Sequence, residues 1–198
     1  CRDERTYDVV VKRYGLRGEE KHTLEEIGQI YGLTRERIRQ IQVKGLKRMN
    51  SPLTTAKLPM TKLVEEALYI NDGILSEEEA DLQIPSALEE KQDDGSSVLD
   101  LLADLEWIQS SKIGDIVIYA PLFNGVQLEN VSERIVSVVE KESLGINLPL
   151  IAKKVSSFGR VQDERFDPIK FTLRYCRIDP RMREVKIASE VYPLFQHY

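Results

Sequence analysis

The sequence predicts a mainly α-helical protein in which a helix-turn-helix domain precedes two winged-helix-like domains, each containing a small β-hairpin. Three observations favour this fold class. Residues 23–48 contain two capped helical segments on either side of a glycine-containing turn, which is the pattern of a helix-turn-helix. Residues 61–120 and 130–193 each show three amphipathic helical segments followed by a short β-rich stretch. A stretch with two prolines, 51–60, separates the first pattern from the others.

These patterns divide the chain into consecutive parts. The predicted parts are a helix-turn-helix domain at 1–50, a linker at 51–60, an acidic winged-helix-like domain at 61–120 and a second winged-helix-like domain at 121–198. The similarity between the last two domains depends on the order of their elements and not on residue identity.

Three helices fit the first domain. Thr23 precedes Glu26 by three residues, and this spacing predicts a capping box at the start of the second helix. Gly32 ends that helix, and Thr34 caps the third. The first and third helices are predicted over 3–14 and 35–48, with Val9, Val10, Tyr14, Leu24, Ile27, Ile30, Ile38, Ile41 and Leu46 as the candidate buried positions.

The two later domains share one order of predicted secondary-structure elements. Each has three predicted helices and then a β-rich stretch, which is the winged-helix plan. The third helix of the last domain begins after Asp167, and its hairpin is predicted to turn at Asp179 and Pro180. The predicted helices are 61–70, 77–84, 98–108, 131–142, 148–156 and 168–176, and the predicted β stretches are 113–119 and 177–189.

Charge is distributed unevenly along the chain. The net charge is −5, and hydrophobic residues make up 41% of the sequence. Residues 1–50 carry 12 Lys and Arg against 8 Asp and Glu, whereas residues 61–120 carry 3 against 15. Residues 121–198 carry 12 against 10. A basic first domain, an acidic middle and a mildly basic end predict parts that bind different partners.

Several classes of protein are excluded by what the sequence lacks. No apolar run approaches the ~18 residues that a membrane span requires, and no signal-peptide pattern opens the chain. The two cysteines, Cys1 and Cys176, form no metal-binding or disulfide pattern, which favours a reducing cytoplasmic setting. No nucleophile motif or phosphate-binding loop is present. We therefore expect no catalytic residue, metal, cofactor, small-molecule substrate or membrane partner. The absence of an initiator Met suggests a piece of a longer protein.

The third predicted helix of the first domain carries the chemistry of DNA recognition. On a helix, Arg35, Glu36, Arg39 and Gln40 point away from the apolar face at the N-terminal half, where a recognition helix reaches base edges. Arg pairs with guanine, Gln with adenine, and Glu accepts from cytosine. The basic side chains further along the helix, Lys44, Lys47 and Arg48, suit phosphate contacts. The alternative is a solvated charged face.

A longer match accompanies this chemistry. The stretch RTYDVVVKRYGLRGEEKHTLEEIGQIYGLTRERIRQIQVKGLKRM, residues 5–49, resembles region 4 of housekeeping bacterial sigma factors, which reads the −35 element of promoters. The resemblance implies that Arg35, Glu36 and Gln40 read bases and that Arg37 and Arg39 contact the backbone or nearby bases. Gln42 and Gly45 depart from the family, which usually has Glu and Ala at these positions. The full expected DNA-binding set is Thr23, Thr34, Arg35, Glu36, Arg37, Arg39, Gln40, Lys44, Lys47 and Arg48.

The third helices of the later domains differ in charge. The stretch 98–108 has no Lys or Arg, so we expect it to bind a protein such as RNA polymerase or to pack inside the chain. The stretch 168–176 and its hairpin are basic and predict a second DNA contact, although acidic neighbours leave a charge-balanced surface as the alternative. The residues of this predicted second contact are Arg165, Lys170, Arg174, Arg181 and Arg183.

Three functional hypotheses follow. The first is a non-enzymatic, sequence-specific binder of double-stranded DNA that acts in transcription initiation or regulation. The second is the DNA-targeting part of a larger enzyme, such as a nuclease or helicase of a defence or restriction system, whose catalytic residues lie outside this chain. The third treats the acidic 61–120 domain as a cover for the DNA-binding face when no target is present.

Overall fold

The computed structural model describes residues 4–51, 59–87, 95–122, 127–142, 144–155, 167–185 and 193–198. Within these ranges the chain is mainly helical. The helices are α1 (Glu4–Tyr14), α2 (Leu24–Tyr31), α3 (Arg35–Met49), α4 (Pro59–Ile70), α5 (Glu77–Ala87), α6 (Gly95–Asp104), α7 (Leu128–Glu140), α8 (Leu148–Lys154) and α9 (Pro168–Ile178). The strands are β1 (Leu75–Ser76), β2 (Ile108–Ile113), β3 (Ile116–Pro121), β4 (Ile146–Asn147), β5 (Met182–Val185) and β6 (Leu194–His197).

Two winged-helix-like repeats follow the helix-turn-helix, which confirms the predicted fold class. Each repeat runs from a helix to a two-residue strand, two further helices and a hairpin. The first sheet has the order β1-β3-β2 and the second has the order β4-β6-β5, so the two topologies are the same. Leu75 pairs antiparallel with Tyr119 in the first sheet, and Ile146 pairs antiparallel with Phe195 in the second.

The chain forms two compact units. Unit 1 contains Cys1–Glu65 and Glu77–Ile108, and unit 2 contains Glu66–Ser76 and Gln109–Tyr198. The first winged-helix-like repeat is divided between them, because α5 and α6 belong to unit 1 while β1 and β3 belong to unit 2. The three continuous domains stay a prediction of the sequence.

The helix-turn-helix in unit 1 follows the predicted local signals. The Thr23 side chain accepts a hydrogen bond from the Glu26 backbone N–H, and the Glu26 carboxylate accepts one from the Thr23 N–H, so the capping box is confirmed. Gly32 ends α2 in the left-handed conformation, at φ 62°. Gly28 is required by the turn, because a Cβ there would lie 2.7 Å from the Leu33 carbonyl oxygen.

A small apolar cluster joins the three helices of this segment. Val9, Ile27 and Ile38 are fully buried against one another. The expectation that Ile30 is buried was wrong, because 53% of this residue is exposed. Ile27 occupies the inner face of α2, and Ile30 lies at the side of the eight-residue helix away from the cluster.

The apolar core of unit 2 is larger. It contains Val131 and Ile135 of α7, Phe171 and Tyr175 of α9, and Phe195 of β6, all fully buried. Helices α8 and α9 begin where the sequence predicted. The Asn147 side chain accepts from the Leu150 N–H at 3.1 Å, and the Asp167 side chain accepts from the N–H groups of Ile169 and Lys170.

Two predicted boundaries were wrong. The helix predicted over 98–108 ends at Asp104, because Glu106 takes a positive φ of 59° and the chain turns into β2. Asp179 and Pro180 connect α9 to β5 and are not the turn of the hairpin. The strand that pairs with β5 is β6, with Met182 opposite His197. Of the helices in the described ranges, none combines the length and the apolar composition that a membrane span requires.

Candidate nucleic-acid interface

The exposed face of α3 is set by the residues on its opposite side. Ile38, Gln42 and Gly45 are buried against the rest of unit 1. At about 100° per residue, this orientation turns the other side of the N-terminal half of the helix outward. The side chains predicted to read bases or contact the nearby backbone are all exposed, namely Arg35, Glu36, Arg37, Arg39 and Gln40.

Four of these side chains form one hydrogen-bonded network. The Arg39 guanidinium donates to both Glu36 carboxylate oxygens, with Nε to Oε2 at 2.8 Å and Nη2 to Oε1 at 2.9 Å. The Gln40 amide donates to Glu36 at 3.3 Å and accepts from Arg37 at 3.1 Å. The hydrogen bonds from Arg39 lower the pKa of Glu36 below its ordinary value. Glu36 is therefore held as a carboxylate at the start of the helix.

This arrangement presents donors and acceptors together on one exposed surface. Guanidinium and amide groups can make paired hydrogen bonds to purines, and a carboxylate can accept from cytosine. The internal hydrogen bonds hold the side chains along one face of α3, and because the pairs are exposed they exchange for contacts with a ligand at little cost. The face can thus accept the edges of base pairs.

The remaining predicted contacts lie around this face. Lys44, Lys47 and Arg48 are exposed on the C-terminal half of α3. Thr34 caps α3 by accepting from the Arg37 N–H at 3.3 Å. Thr23 both accepts from the Glu26 N–H and donates to the Glu26 carboxylate at 2.9 Å. Both threonines are exposed, so their capping bonds do not remove them from the surface.

A polar relay behind α3, buried at Tyr14 and Gln42 and ending at the exposed Asp104, was not foreseen from the sequence. The Gln42 amide donates to the Tyr14 hydroxyl oxygen at 2.9 Å, and the Tyr14 hydroxyl donates to Asp104 at 2.5 Å. Burial and the hydrogen bond to Asp104 raise the pKa of Tyr14 well above its usual range, so its hydroxyl stays protonated. The available signal was a glutamine on the inward face of α3, between Ile38 and Gly45.

The predicted second contact lies on α9 and its wing, where one arginine forms an ion pair with a buried aspartate. Arg181 donates to both carboxylate oxygens of the buried Asp179, at 2.9 and 2.7 Å. Arg183 donates to Gln196 at 2.8 Å. Lys170 is exposed, whereas Arg174 is half-buried. Arg165 lies outside the described residues.

The Arg181 pair also fixes the protonation of Asp179. Burial alone would raise the pKa of this carboxyl group, but the hydrogen bonds from the side chain and backbone of Arg181 outweigh burial and hold the pKa below its ordinary value. Arg181 is thus engaged in stabilising the end of α9, and its charge is largely balanced where it lies.

The geometry of residues 4–49 defines a helix-turn-helix whose third helix presents a polar, charged surface. A comparison of the sequence with known families identifies its particular kind. The family model "Sigma-70, region 4" matches residues 3–50. The N-terminal part of the chain is therefore a sigma-70 region 4 segment, and the resemblance predicted over 5–49 is confirmed.

Individual sigma factors match over the same segment. RNA polymerase sigma factor RpoS of Coxiella burnetii is 53% identical over 47 residues, which are 24% of this chain and 13% of that protein. RNA polymerase sigma factor SigA of Nostoc sp. is 54% identical over 48 residues, which are 24% of this chain and 12% of that protein. The chain thus matches only a small part of each relative's length. No solved structure matches the chain.

Proposed function

We propose that this chain binds double-stranded DNA sequence-specifically through α3, in transcription initiation or its regulation. The observation that carries the proposal is the exposed network of Glu36, Arg39 and Gln40 on the third helix of a sigma-70 region 4 segment. A helix of about 10–12 Å diameter fits the major groove of B-form DNA, which is about 12 Å wide. The target is a −35-like promoter element.

Each side chain has a role that its chemistry suits. Arg35 and Gln40 make paired hydrogen bonds to purine edges, and Glu36 accepts from a cytosine amine. Arg37 and Arg39 contact the backbone or adjacent bases. The side chains of Lys44, Lys47 and Arg48 neutralise phosphates and set the register of the protein on the duplex, while Thr23 and Thr34 lie at the helix starts that approach the backbone.

The protein partner that fits this function is RNA polymerase, the enzyme in the names of the relatives. A second DNA contact through Lys170 and Arg174 has weaker support than the first. Arg181 is already paired with the Asp179 carboxylate, so less uncompensated positive charge remains there for phosphates, while Arg183 donates to the neutral Gln196 and keeps its charge.

A pair of alanine variants tests the proposal. Arg35→Ala and Gln40→Ala should each weaken binding to a duplex carrying a TTGACA-like hexamer by about 1–3 kcal/mol, which corresponds to roughly 5- to 150-fold in Kd. Binding to a scrambled duplex should fall much less, because base contacts are absent there. Fluorescence anisotropy at fixed salt measures both affinities.

The matched control is Arg134→Ala, which removes an exposed arginine of α7 in unit 2. This variant loses the same charge and should retain the preference for the hexamer. Equal losses on both duplexes in the α3 variants would mean that the helix holds phosphates only, and a wild-type chain without any preference would contradict the proposal.

A further inference from the structure

Helix α6 packs against the sigma-70 region 4 segment within unit 1. Two of its acidic side chains bond to that segment: Asp100 pairs with Lys21, and Asp104 accepts from Tyr14. Just beyond α6, the Trp107 indole N–H donates to Asn50, the residue that follows α3, at 2.8 Å. These contacts reach α1, the loop before α2 and the end of α3. The reading side chains of α3 are exposed and lie elsewhere.

The relay from Asp104 to α3 has a fixed direction. A tyrosine hydroxyl has one hydrogen to donate, and Asp104 takes it because an ionised carboxylate can only accept. The hydroxyl oxygen is then an acceptor for the Gln42 amide. Tyr14 is 2% exposed and Gln42 is 7% exposed, so water cannot readily replace the hydrogen bond between them, whereas Asp104 lies at the surface. Only a donor at position 42 satisfies this arrangement.

The relay meets α3 at the middle of its buried face. One turn further along, Gly45 brings α3 so close to α1 that a Cβ would lie 2.9 Å from the Val10 side chain and 3.1 Å from that of Thr6. The position of α3 is therefore set by a directional hydrogen bond at Gln42 and by close packing at Gly45. Gln42 is also only two residues from Gln40, which the proposed function assigns to base reading.

We propose that α6 braces the reading helix, with Asp104 acting through Tyr14 and Gln42 to set the position from which α3 meets DNA. The three residues are positioning residues, and the inference rests on the proposed function. It makes the acidic helix part of the DNA-reading apparatus. This assignment is opposite to that of a cover over the DNA-binding face, because loss of the contact with α6 weakens sequence preference instead of strengthening binding.

A reversal of the relay tests the inference in the full chain. Gln42→Glu places two acceptors on one hydroxyl hydrogen, and it should lower the ratio of affinities for the hexamer and scrambled duplexes by about tenfold. Adding Asp104→Asn supplies an amide donor to the Tyr14 hydroxyl oxygen, so that the hydroxyl hydrogen can turn toward the new carboxylate at position 42. The double variant should therefore recover most of the affinity ratio. Asp104→Asn alone should change it little, because an amide oxygen still accepts from Tyr14.

The ratio of affinities separates positioning from simple loss of folded protein. Partial unfolding lowers the binding-competent fraction equally for both duplexes and leaves the ratio unchanged. Charge is controlled by Gln42→Glu combined with Asp115→Asn, which has the wild-type net charge but changes an exposed aspartate of unit 2. The ratio of affinities for the hexamer and scrambled duplexes should be as low in this control as in Gln42→Glu alone. Recovery in both double variants would overturn the relay.

A second variant keeps the test decisive if Gln42→Glu does not fold. Tyr14→Phe keeps the buried ring and removes only the hydroxyl, and it should also lower the ratio. An unchanged ratio in Tyr14→Phe or in folded Gln42→Glu would contradict the inference while leaving the proposed function intact. A wild-type ratio near one would instead show that the proposed function itself is wrong.

Discussion

At the scale of single residues, Gln42 joins α3 to α1 through the buried hydrogen bond that its amide donates. The helix starts at Thr23, Thr34 and Asp167 were predicted and confirmed, because a cap depends on residues only two or three positions away. The exposure of Ile30 and the burial of Gln42 depend on which distant helices pack nearby. The hydrogen bond of Gln42 gives a physical reason for its departure from the glutamate usual in the family.

Asp179 provides a prediction about pH at this scale. The residue is 1% exposed, its carboxylate accepts from Arg181, and its pKa lies below the ordinary value of 3.8. A lowered pKa in the folded state stabilises the protein at pH values above the unfolded pKa, and this contribution disappears as the pH falls through the folded value. Asp179→Asn should therefore lower the free energy of unfolding by about 1–3 kcal/mol at pH 7.

Urea denaturation at a series of pH values measures this effect. The difference between the wild type and Asp179→Asn should shrink as the pH falls from about 4, where the unfolded carboxyl group begins to protonate, through the lower pKa of the native group. Asp115→Asn, an exposed aspartate in the same unit, should follow the wild type throughout. A difference that stays constant down to the acid limit would show that ionisation of Asp179 contributes nothing.

At the scale of elements, the sequence predicted which helices exist better than where they end. The winged-helix plan follows from amphipathic periodicity, which covers several turns of each helix. The end of α6 at Asp104 instead depends on the positive φ of Glu106. This conformation is uncommon for glutamate, so the sequence does not predict it. The partner strand of β5 lies beyond residues 186–192, so its register could not be read from the Asp-Pro pair.

The contact between α1 and α3 gives a prediction about a helix interface. Gly45→Ala would gain about 1 kcal/mol in a free helix. In this interface the new Cβ would press on the Val10 side chain, which is β-branched and stiff, so we expect a net loss of about 1–2 kcal/mol. Gly45→Ala combined with Val10→Ala should then lose less than the sum of the two single variants.

Thermal unfolding of the four proteins in this cycle measures the coupling. A stabilised Gly45→Ala variant, or strictly additive losses in the cycle, would contradict the close packing of α1 on α3. The same result would weaken the case that Gly45 replaces the usual alanine because of this contact.

At the scale of the whole molecule, the order of elements was predictable but their grouping was not. Both winged-helix-like repeats have the same order of strands in their sheets, which agrees with their shared order of predicted elements. The association of α5 and α6 with the sigma-70 region 4 segment in unit 1 depends on long-range pairs such as Lys21 with Asp100. No local pattern encodes a pair separated by 79 residues. The exposure of the polar side chains on α3 was predictable from helical periodicity, whereas the relay behind the helix was not.

Whether α3 reads duplex DNA can be measured by selecting bound sequences from a random duplex library with the full chain. A TTGACA-like hexamer should be enriched. The enrichment should be retained by Arg134→Ala and lost when Arg35 and Gln40 are both changed to alanine. Recovery of sequences without a shared motif, or of the same motif by the α3 double variant, would contradict it.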